Sequence, residues 1–186
     1  RRTRDAELSL VRHAHETWVV SPVEQQLLAE LEPSARVAVL SNIHRPRGLG
    51  PGHGERSDLM FVGGYRHTPN VDAVLWLAKE IFPLVRLRNP HIRLHLVGSD
   101  TPDSVRDLGS LPGIVVHGHV PDLTPLLDRT RINLAPLRYG AGVKGKINHS
   151  LAHGLPVVAT TCAAEGMQLT HRVDAMVADS AADFAQ

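Results

Sequence analysis

The chain has 186 residues, 42% of them hydrophobic and only 4% aromatic, so it can bury one good core but is too short for two full domains. Its 20 lysines and arginines nearly balance 19 aspartates and glutamates, for a formal net charge of +1. No long-range field therefore attracts nucleic acid or an anionic membrane, and any anion must be bound by local groups.

The cysteine content and the distribution of apolar residues predict a cytoplasmic chain. The single cysteine, Cys162, rules out an internal disulfide framework and fits a reducing compartment. No run of eighteen apolar residues exists to span a membrane, and the start at Arg1 lacks both an initiator Met and a signal-peptide core. We therefore expect a piece of a longer cytoplasmic protein, in which any peripheral membrane contact belongs to a missing N-terminal domain.

The first forty residues alternate helical and strand-like patterns. Apolar residues at near-helical spacing predict a helix over residues 5–14, and a short apolar run predicts a strand at 18–20. A second helix begins with Ser21 as its N-cap and Pro22 at its first position, and a second strand follows at 37–40. This pattern is typical of an α/β domain.

A segment rich in glycine and proline then divides the chain. Residues 41–57 contain four glycines and two prolines without apolar periodicity, as in a linker or long loop. We therefore predict the end of one domain at 1–41, an interdomain linker at 42–57 and a second domain at 58–186. We expect the second domain to lack its last helices, because the helical pattern at 181–186 stops before two turns are complete.

Strands and helices alternate throughout the second domain. Thr68 and Pro69 predict the start of an amphipathic helix, with Thr68 as its cap. The predicted strands are 59–62, 94–97, 114–116, 132–135, 157–159 and 175–177, and the other predicted helices are 104–108, 123–129 and 144–153. This order predicts an α/β fold, a Rossmann-like open parallel sheet with helices on both faces. Such a sheet binds ligands at the carboxyl ends of its strands.

The most informative segment, residues 132–159, is a strand, a glycine-rich loop with two lysines, a helix and another strand. Its loop fits G-x-G-x-x-G, a dinucleotide-binding pattern, with Glu165 at the distance of a ribose-binding acid. It also fits G-x-x-x-x-G-K, but Ile147 replaces the hydroxyl that a P-loop ATPase needs for magnesium. In each interpretation, glycine N–H groups, a helix N-terminus and the charges of Lys144 and Lys146 favour a bound anion.

The same segment resembles the donor-binding region of the group 1, or family 4, glycosyltransferases. It carries A-P-L at 135–137, G-x-G-x-K-x-K at 140–146, G-x-P-V-V-A-T at 154–160 and A-A-E-G at 163–166. The order and spacing of the family's motifs extend over residues 59–179. The motifs taken together, in this order and at this spacing, are specific to the family.

The resemblance implies a GT-B fold, in which two Rossmann-like domains face each other across a cleft and the second domain holds most of the nucleotide sugar. Members of the family are transferases, hexosyltransferases among them, and usually act with retention at the anomeric carbon and without an essential metal. The resemblance implies a UDP- or GDP-sugar as donor, no cofactor, and a glycan, lipid or protein acceptor that the sequence does not identify. We expect this fragment alone to transfer no sugar, because it holds one wall of the cleft.

The resemblance also assigns residues to the donor diphosphate. Arg66 matches the family's arginine for this group, and its planar guanidinium suits two phosphate oxygens. The family's lysine a few residues later is absent, so that Lys144 or Lys146 supplies the second charge. Gly64 and Gly142 complete the predicted diphosphate site.

The base, the ribose and the donor sugar are assigned to other strand ends. The predicted base and ribose contacts are Gly98, His119, Val120 and His149, and the predicted donor-sugar contacts are Glu165 and Gly166. Two glutamates of the family are replaced here, by Ala141 and by His149. A neutral imidazole has one acceptor and one donor, so it cannot accept from two ribose hydroxyls as a carboxylate does.

Two other functions remain open. The G-x-G-x-x-G match favours an NAD-type dinucleotide-binding oxidoreductase domain, although that pattern normally follows the first strand of its domain rather than the fourth. The change to His149 favours a non-catalytic module that binds a nucleotide sugar. A zinc site at His149 and His153 lacks a catalytic glutamate and a third ligand, so no metal is expected.

Overall fold

The computed structural model describes residues 2–48 and 50–186, which form two separate parallel sheets. The elements of the first part, in chain order, are α1 (Arg2–His13), β1 (Thr17–Val19), α2 (Pro22–Leu31) and β2 (Val37–Val39). Strands β1 and β2 pair in parallel. As the sequence predicted, Ser21 caps α2, because its Oγ accepts the backbone N–H of Glu24 at 3.3 Å.

Six parallel strands form the larger sheet of the described residues. They are β3 (Ser57–Val62), β4 (Leu94–Val97), β5 (Ile114–Gly118), β6 (Thr130–Ala135), β7 (Val157–Ala159) and β8 (Met176–Val177), in the spatial order β5-β4-β3-β6-β7-β8. The chain builds outward from β3 to β5 and then returns to β6 on the other side. This is the strand order of a doubly wound Rossmann-like sheet, so the predicted fold class is confirmed. The winding reverses between β3 and β6, where such sheets bind their ligands.

Helices cover both faces of this sheet. They are α3 (Thr68–Trp76), which continues through a π turn (Leu77–Ile81) into α4 (Phe82–Arg88), α5 (Asp103–Arg106), α6 (Thr124–Arg129), α7 (Gly145–Ala152), α8 (Thr161–Ala164) and α9 (Ala181–Phe184), with 3-10 turns at His53–Glu55 and Asp107–Ser110. Successive residues of β3 point to opposite faces, so that Phe61 packs in the main core and Met60 packs in a smaller core with Leu127 of α6. No described helix is long and apolar enough to cross a membrane.

One local prediction was wrong, and one short helix was missed. The cap residue of α3 is His67, and Thr68 is already its first helical residue, because the chain turns early and His67 N–H donates to Gly64 O at 3.4 Å. Helix α8 was missed, because four residues are too few to display a helical period. Its cap is Thr160, whose Oγ1 accepts the N–H of Ala163 at 3.1 Å. Several other element boundaries differ from the predicted ones by one to three residues.

Arg56 binds the end of the predicted linker to the second domain. The residue is only 2% exposed. Its guanidinium donates to four backbone carbonyls, those of Pro51, Leu127, Thr130 and His153, at 2.9, 2.7, 3.3 and 3.1 Å. These carbonyls belong to the linker, to α6, to the start of β6 and to the end of α7. The end of the linker at Arg56 is therefore held against the elements that carry the glycine-rich loop.

A row of hydrogen-bonded side chains crosses three strands of the larger sheet. His95 on β4 places Nε2 3.3 Å from Asp58 Oδ2 on β3 and Nδ1 2.8 Å from His117 Nε2 on β5. Arg93 binds the same carboxylate, with Nη2 3.0 Å from Oδ2. Burial, and to a lesser degree the neighbouring His95, lowers the pKa of His117.

We expect this row to make the chain sensitive to acid. Because the pKa of His117 is lowered by folding, the stability it contributes is present above about pH 6.5 and is lost as the pH falls below that value. His117→Asn should slightly reduce the loss of unfolding free energy between pH 7 and pH 5, a small effect because the residue is exposed. Urea unfolding at both pH values measures the effect, with the exposed His119→Asn as the control. Equal losses in H117N and in the unmodified chain would contradict the prediction.

Candidate functional site

An open cleft of about 580 Å³ lies at the carboxyl ends of β3 and β6, where the winding of the sheet reverses. Residues from the linker, the end of β3, α3 and α7 line it: His44, Val62, Gly63, Gly64, Asn70, Gly145, Lys146 and His149. Three of the residues predicted from the sequence, Gly64, Lys146 and His149, therefore meet in one place.

Lys146 is the cation of this cleft. Its Nζ donates to Asn70 Oδ1 at 2.6 Å and lies 4.3 Å from the centroid of the Phe61 ring. Burial, together with the nearby charge of Lys144, lowers the pKa of Lys146 to about 7. A Cβ placed on Gly63 would come within 2.8 Å of this Nζ and of the Asn70 side chain, so a larger residue there would displace the pair. With one protein acceptor, the protonated ammonium has two further N–H groups for ligand oxygens.

Asn70 holds Lys146 in place and was not predicted from the sequence. Its Oδ1 accepts from Lys146, while its Nδ2 donates to Gly64 O at 2.8 Å. The side chain is therefore fixed at both ends between α3 and the loop that follows β3. The sequence carried one signal for this role. Asn70 stands in the first turn of a helix that closely follows two glycines at the end of a strand.

Lys144 has a different role from Lys146. The residue is buried, and its Nζ donates to the carbonyls of Gly140, Ala141 and Gly142 at 3.0, 3.0 and 2.6 Å. All three N–H groups are therefore used within the glycine-rich loop in this conformation. The loop can turn around the ammonium because Gly140 and Gly142 adopt φ values of +122° and +79°, which side chains disfavour. Direct binding of a phosphate by Lys144 stays a prediction.

Arg66 lies on the rim of the cleft rather than in it. Its side chain is 85% exposed, and its Nε is 3.0 Å from Asp100 Oδ1. The pair links the loop after β3 to the loop after β4. An exposed pair of this kind is held weakly, so the guanidinium can turn toward an anion at little cost.

Three residues predicted to contact the base or ribose do not line the cleft in the described part of the chain. Gly98 is buried, and a Cβ there would lie 2.0 Å from Gly63 O, so this glycine allows two strand-end loops to cross. Val120 packs against the smaller core around Met60. His119 is exposed.

His149, the fourth of these predicted residues, does line the cleft, together with a histidine from the linker. The ring centroids of His44 and His149 are 6.5 Å apart in a stacked arrangement, and His153 meets His149 edge-on at 5.1 Å. Burial, followed by the charges of His153, His44 and Arg47, lowers the pKa of His149. The imidazole of His149 is therefore neutral at pH 7 and offers one donor and one acceptor. His44 was missed because it lies far from α7 in the sequence.

The predicted donor-sugar residues lie beside a second, smaller cavity. Glu165 is the exposed residue that ends α8, and Gly166 follows with a φ of +74°. The cavity, of about 110 Å³, is bounded on the other side by Ser21 and Glu24 of the N-terminal part. Gly142, predicted for the diphosphate, lines this cavity as well. Among the described residues, no group of three or more His, Cys, Asp or Glu is arranged to hold a metal ion.

The family of the chain follows from its sequence. Residues 56–186 match the family described as "Glycosyl transferases group 1". The chain belongs to this family. Its fold is that of a GT-B glycosyltransferase domain, as the resemblance implied.

Relatives of this glycosyltransferase chain cover it well but are much longer. A Klebsiella pneumoniae "uncharacterized 44.6 kDa protein in cps region" is 24% identical over an alignment of 137 residues, and the match covers 69% of this chain and 35% of that protein. TarM of S. aureus, solved with UDP, superposes with a TM-score of 0.79 at 12% identity over 100% of this chain and 38% of its own.

Two further solved structures resemble this glycosyltransferase chain. Sucrose-phosphate synthase of Thermosynechococcus elongatus gives a TM-score of 0.73 at 16% identity, over 100% of this chain and 51% of its own. Anabaena HepE, solved with UDP and glucose, gives 0.71 at 14% identity, over 98% of this chain and 54% of its own. The chain thus spans about a third of the curated relative and about half or less of these solved ones.

Proposed function

We propose that this chain is the donor-binding part of a glycosyltransferase that moves a sugar from a nucleoside diphosphate sugar to an acceptor. The observation that carries the proposal is Lys146, which stands in the cleft where the sheet's winding reverses and keeps two N–H groups for ligand oxygens. Relatives of the same fold were solved with UDP, whose diphosphate is the kind of anion that such an ammonium binds.

Within the proposed donor site, Lys146 takes the diphosphate together with Gly64 and the N–H groups at the start of α7. Arg66 joins them when it turns from Asp100. Lys144 and Gly142 act indirectly, because they fix the shape of the loop. The proposed metal independence has the same source, since an ammonium, a guanidinium and a helix N-terminus take the place of a divalent ion.

The proposed assignments for the rest of the donor follow the residues around the cleft. We propose that His149 and His44, which line the cleft with Lys146, meet the ribose. We propose that Glu165 and Gly166, which line the smaller cavity, meet the transferred sugar. For the base we propose Gly98, His119 and Val120, which lie outside the lining of the cleft in the described part of the chain.

Transfer with retention belongs to the whole protein in this proposal. Residues 1–41 contribute to the acceptor-side wall, 42–57 are the linker and 58–186 form the donor domain. The 186 residues alone bind the donor without transferring it. We also propose a cytoplasmic place in polysaccharide biosynthesis, which agrees with a relative from a cps region.

The main alternative is a dinucleotide-binding oxidoreductase domain. Its glycine-rich loop would follow the first strand of the sheet, whereas here the loop follows β6, which is the fourth strand of its sheet. A non-catalytic module would bind the same nucleotide sugar and would differ only in the activity of the whole protein.

Calorimetric titration of the chain in EDTA tests the proposal. We expect UDP or GDP and a matching sugar nucleotide to bind with a micromolar to millimolar Kd, and NADH to bind at least tenfold more weakly. Replacing EDTA with manganese should leave the Kd unchanged. Binding of NADH alone would favour the oxidoreductase, binding that requires manganese would refute metal independence, and no binding of any nucleotide at millimolar concentration would refute the proposal.

A further inference from the structure

The small cavity beside Gly142 joins two parts of the chain that are far apart in sequence. Its wall on the N-terminal side is the first turn of α2, and its opposite wall is formed by the loop after β6 and the turn after α8. The two walls touch, since a Cβ on Gly166 would lie 2.9 Å from Ser21 Cβ. At about 110 Å³ the cavity has room for several water molecules or for the hydroxyl-bearing edge of a sugar ring.

Glu24 presents a carboxylate oxygen to this cavity. One oxygen, Oε2, accepts the backbone N–H of Val20 at 3.0 Å and so helps to close the start of α2. The other, Oε1, points across to the glycine-rich loop and would lie 3.8 Å from a Cβ on Gly142. The helix cap accounts for the position of Oε2. It does not account for the direction in which Oε1 points.

The residues on the loop side of the cavity show what Glu24 Oε1 adds to it. Ala141 lines the cavity without any polar side-chain atom, and Gly142 and Gly166 expose backbone there. A hydroxyl group needs both an acceptor for its hydrogen and donors for its lone pairs. The Glu24 carboxylate supplies an acceptor that this part of the loop lacks.

The same loop connects this cavity to the diphosphate cleft. Gly142 lines the small cavity, and Gly145 and Lys146, a few residues later, line the cleft. A donor whose diphosphate is held at Lys146 can therefore extend its sugar along the loop toward Glu24.

We propose that Glu24 is a specificity-determining residue that accepts hydrogen bonds from hydroxyl groups of the transferred sugar. This rests on the proposed function, because it takes a nucleoside diphosphate sugar as the ligand. The N-terminal part of the chain then contributes to donor selection as well as to the acceptor side.

Calorimetry with Glu24→Gln tests the inference. The quantity compared is the sugar gain, which is the Kd of a nucleoside diphosphate divided by the Kd of its sugar nucleotide. The ligands are UDP, UDP-glucose, UDP-N-acetylglucosamine, GDP and GDP-mannose. We expect the unmodified chain to bind one sugar nucleotide about tenfold more tightly than its diphosphate, as hydrogen bonds to a charged acceptor allow. E24Q should remove most of this gain and change the Kd of the diphosphate less than about twofold.

Glu30→Gln, on the exposed surface of the same helix, removes an equal charge and should keep the gain. Thermal unfolding of both variants checks that α2 stays folded. An unchanged gain in E24Q, equal weakening of diphosphate and sugar nucleotide, or no sugar gain in the unmodified chain would overturn the role of Glu24 and leave the donor site standing. Failure of every nucleotide to bind would overturn the proposed function itself.

Discussion

Replacing Lys146 with methionine is expected to weaken the binding of a sugar nucleotide by roughly tenfold to a hundredfold. The ammonium makes charge-assisted hydrogen bonds to the diphosphate, worth about 1.5 to 3 kcal/mol, and methionine keeps the apolar packing on Phe61 without them. The measurement is calorimetry at pH 6.5, where the lysine is mostly protonated. Lys79→Met, at an exposed position in the π turn between α3 and α4, is the matched control and should bind like the unmodified chain.

Two further measurements distinguish diphosphate binding by Lys146 from a contribution of Lys146 to the stability of the fold. Lys146→Met should leave the unfolding free energy unchanged or slightly higher, because removing a poorly solvated charge relieves its desolvation. Lys144→Met should instead lower stability and binding together, because three loop carbonyls lose their donor. If K146M binds the sugar nucleotide like the control while K144M does not, the diphosphate belongs to Lys144 and our placement is wrong.

Sugar-nucleotide binding is expected to weaken as the pH rises above 7. The free chain holds the pKa of Lys146 at about 7, mainly through burial, so the ammonium is lost in mildly alkaline solution. A bound diphosphate favours the charged form and raises that pKa, so that binding takes up a proton. The affinity should therefore fall by up to about tenfold for each pH unit between pH 7 and pH 9.

The choice of ligand and variant makes this pH profile specific. A sugar nucleotide is used because its diphosphate does not titrate in this range, and the pKa of His149 in the cleft is lowered by burial, away from this range. Lys146→Arg keeps its charge throughout and should give a flat profile. A slope that persists in K146R would assign the proton to another group.

The sequence predicted the larger sheet well because its strands are short apolar runs that alternate with helical patterns. Such runs depend on local composition and on burial from both faces, as at residues 94–97 and 157–159, where the predicted bounds are those observed. The glycine-rich loop could also be placed, since open parallel sheets expose the loops at their carboxyl ends.

The division of labour between the two loop lysines could not be predicted. Lys144 and Lys146 flank Gly145 with the same charge, and only the path of the loop decides which ammonium meets its carbonyls and which meets the cleft. The same limit applies to Asn70, Glu24 and His44. Each acts through a partner distant in the sequence, and periodicity carries no information about such contacts.

The central claim is that the nucleotide binds at the carboxyl ends of β3 and β6. Amide chemical-shift mapping of the isotope-labelled chain with UDP and GDP, in EDTA, tests it most directly. We predict that the largest shifts fall on residues 63–64, 70 and 140–149, with smaller ones on Glu165 and Gly166. Shifts concentrated instead around the apolar cavity at the opposite strand ends, near Phe82 and Ile114, would contradict the account.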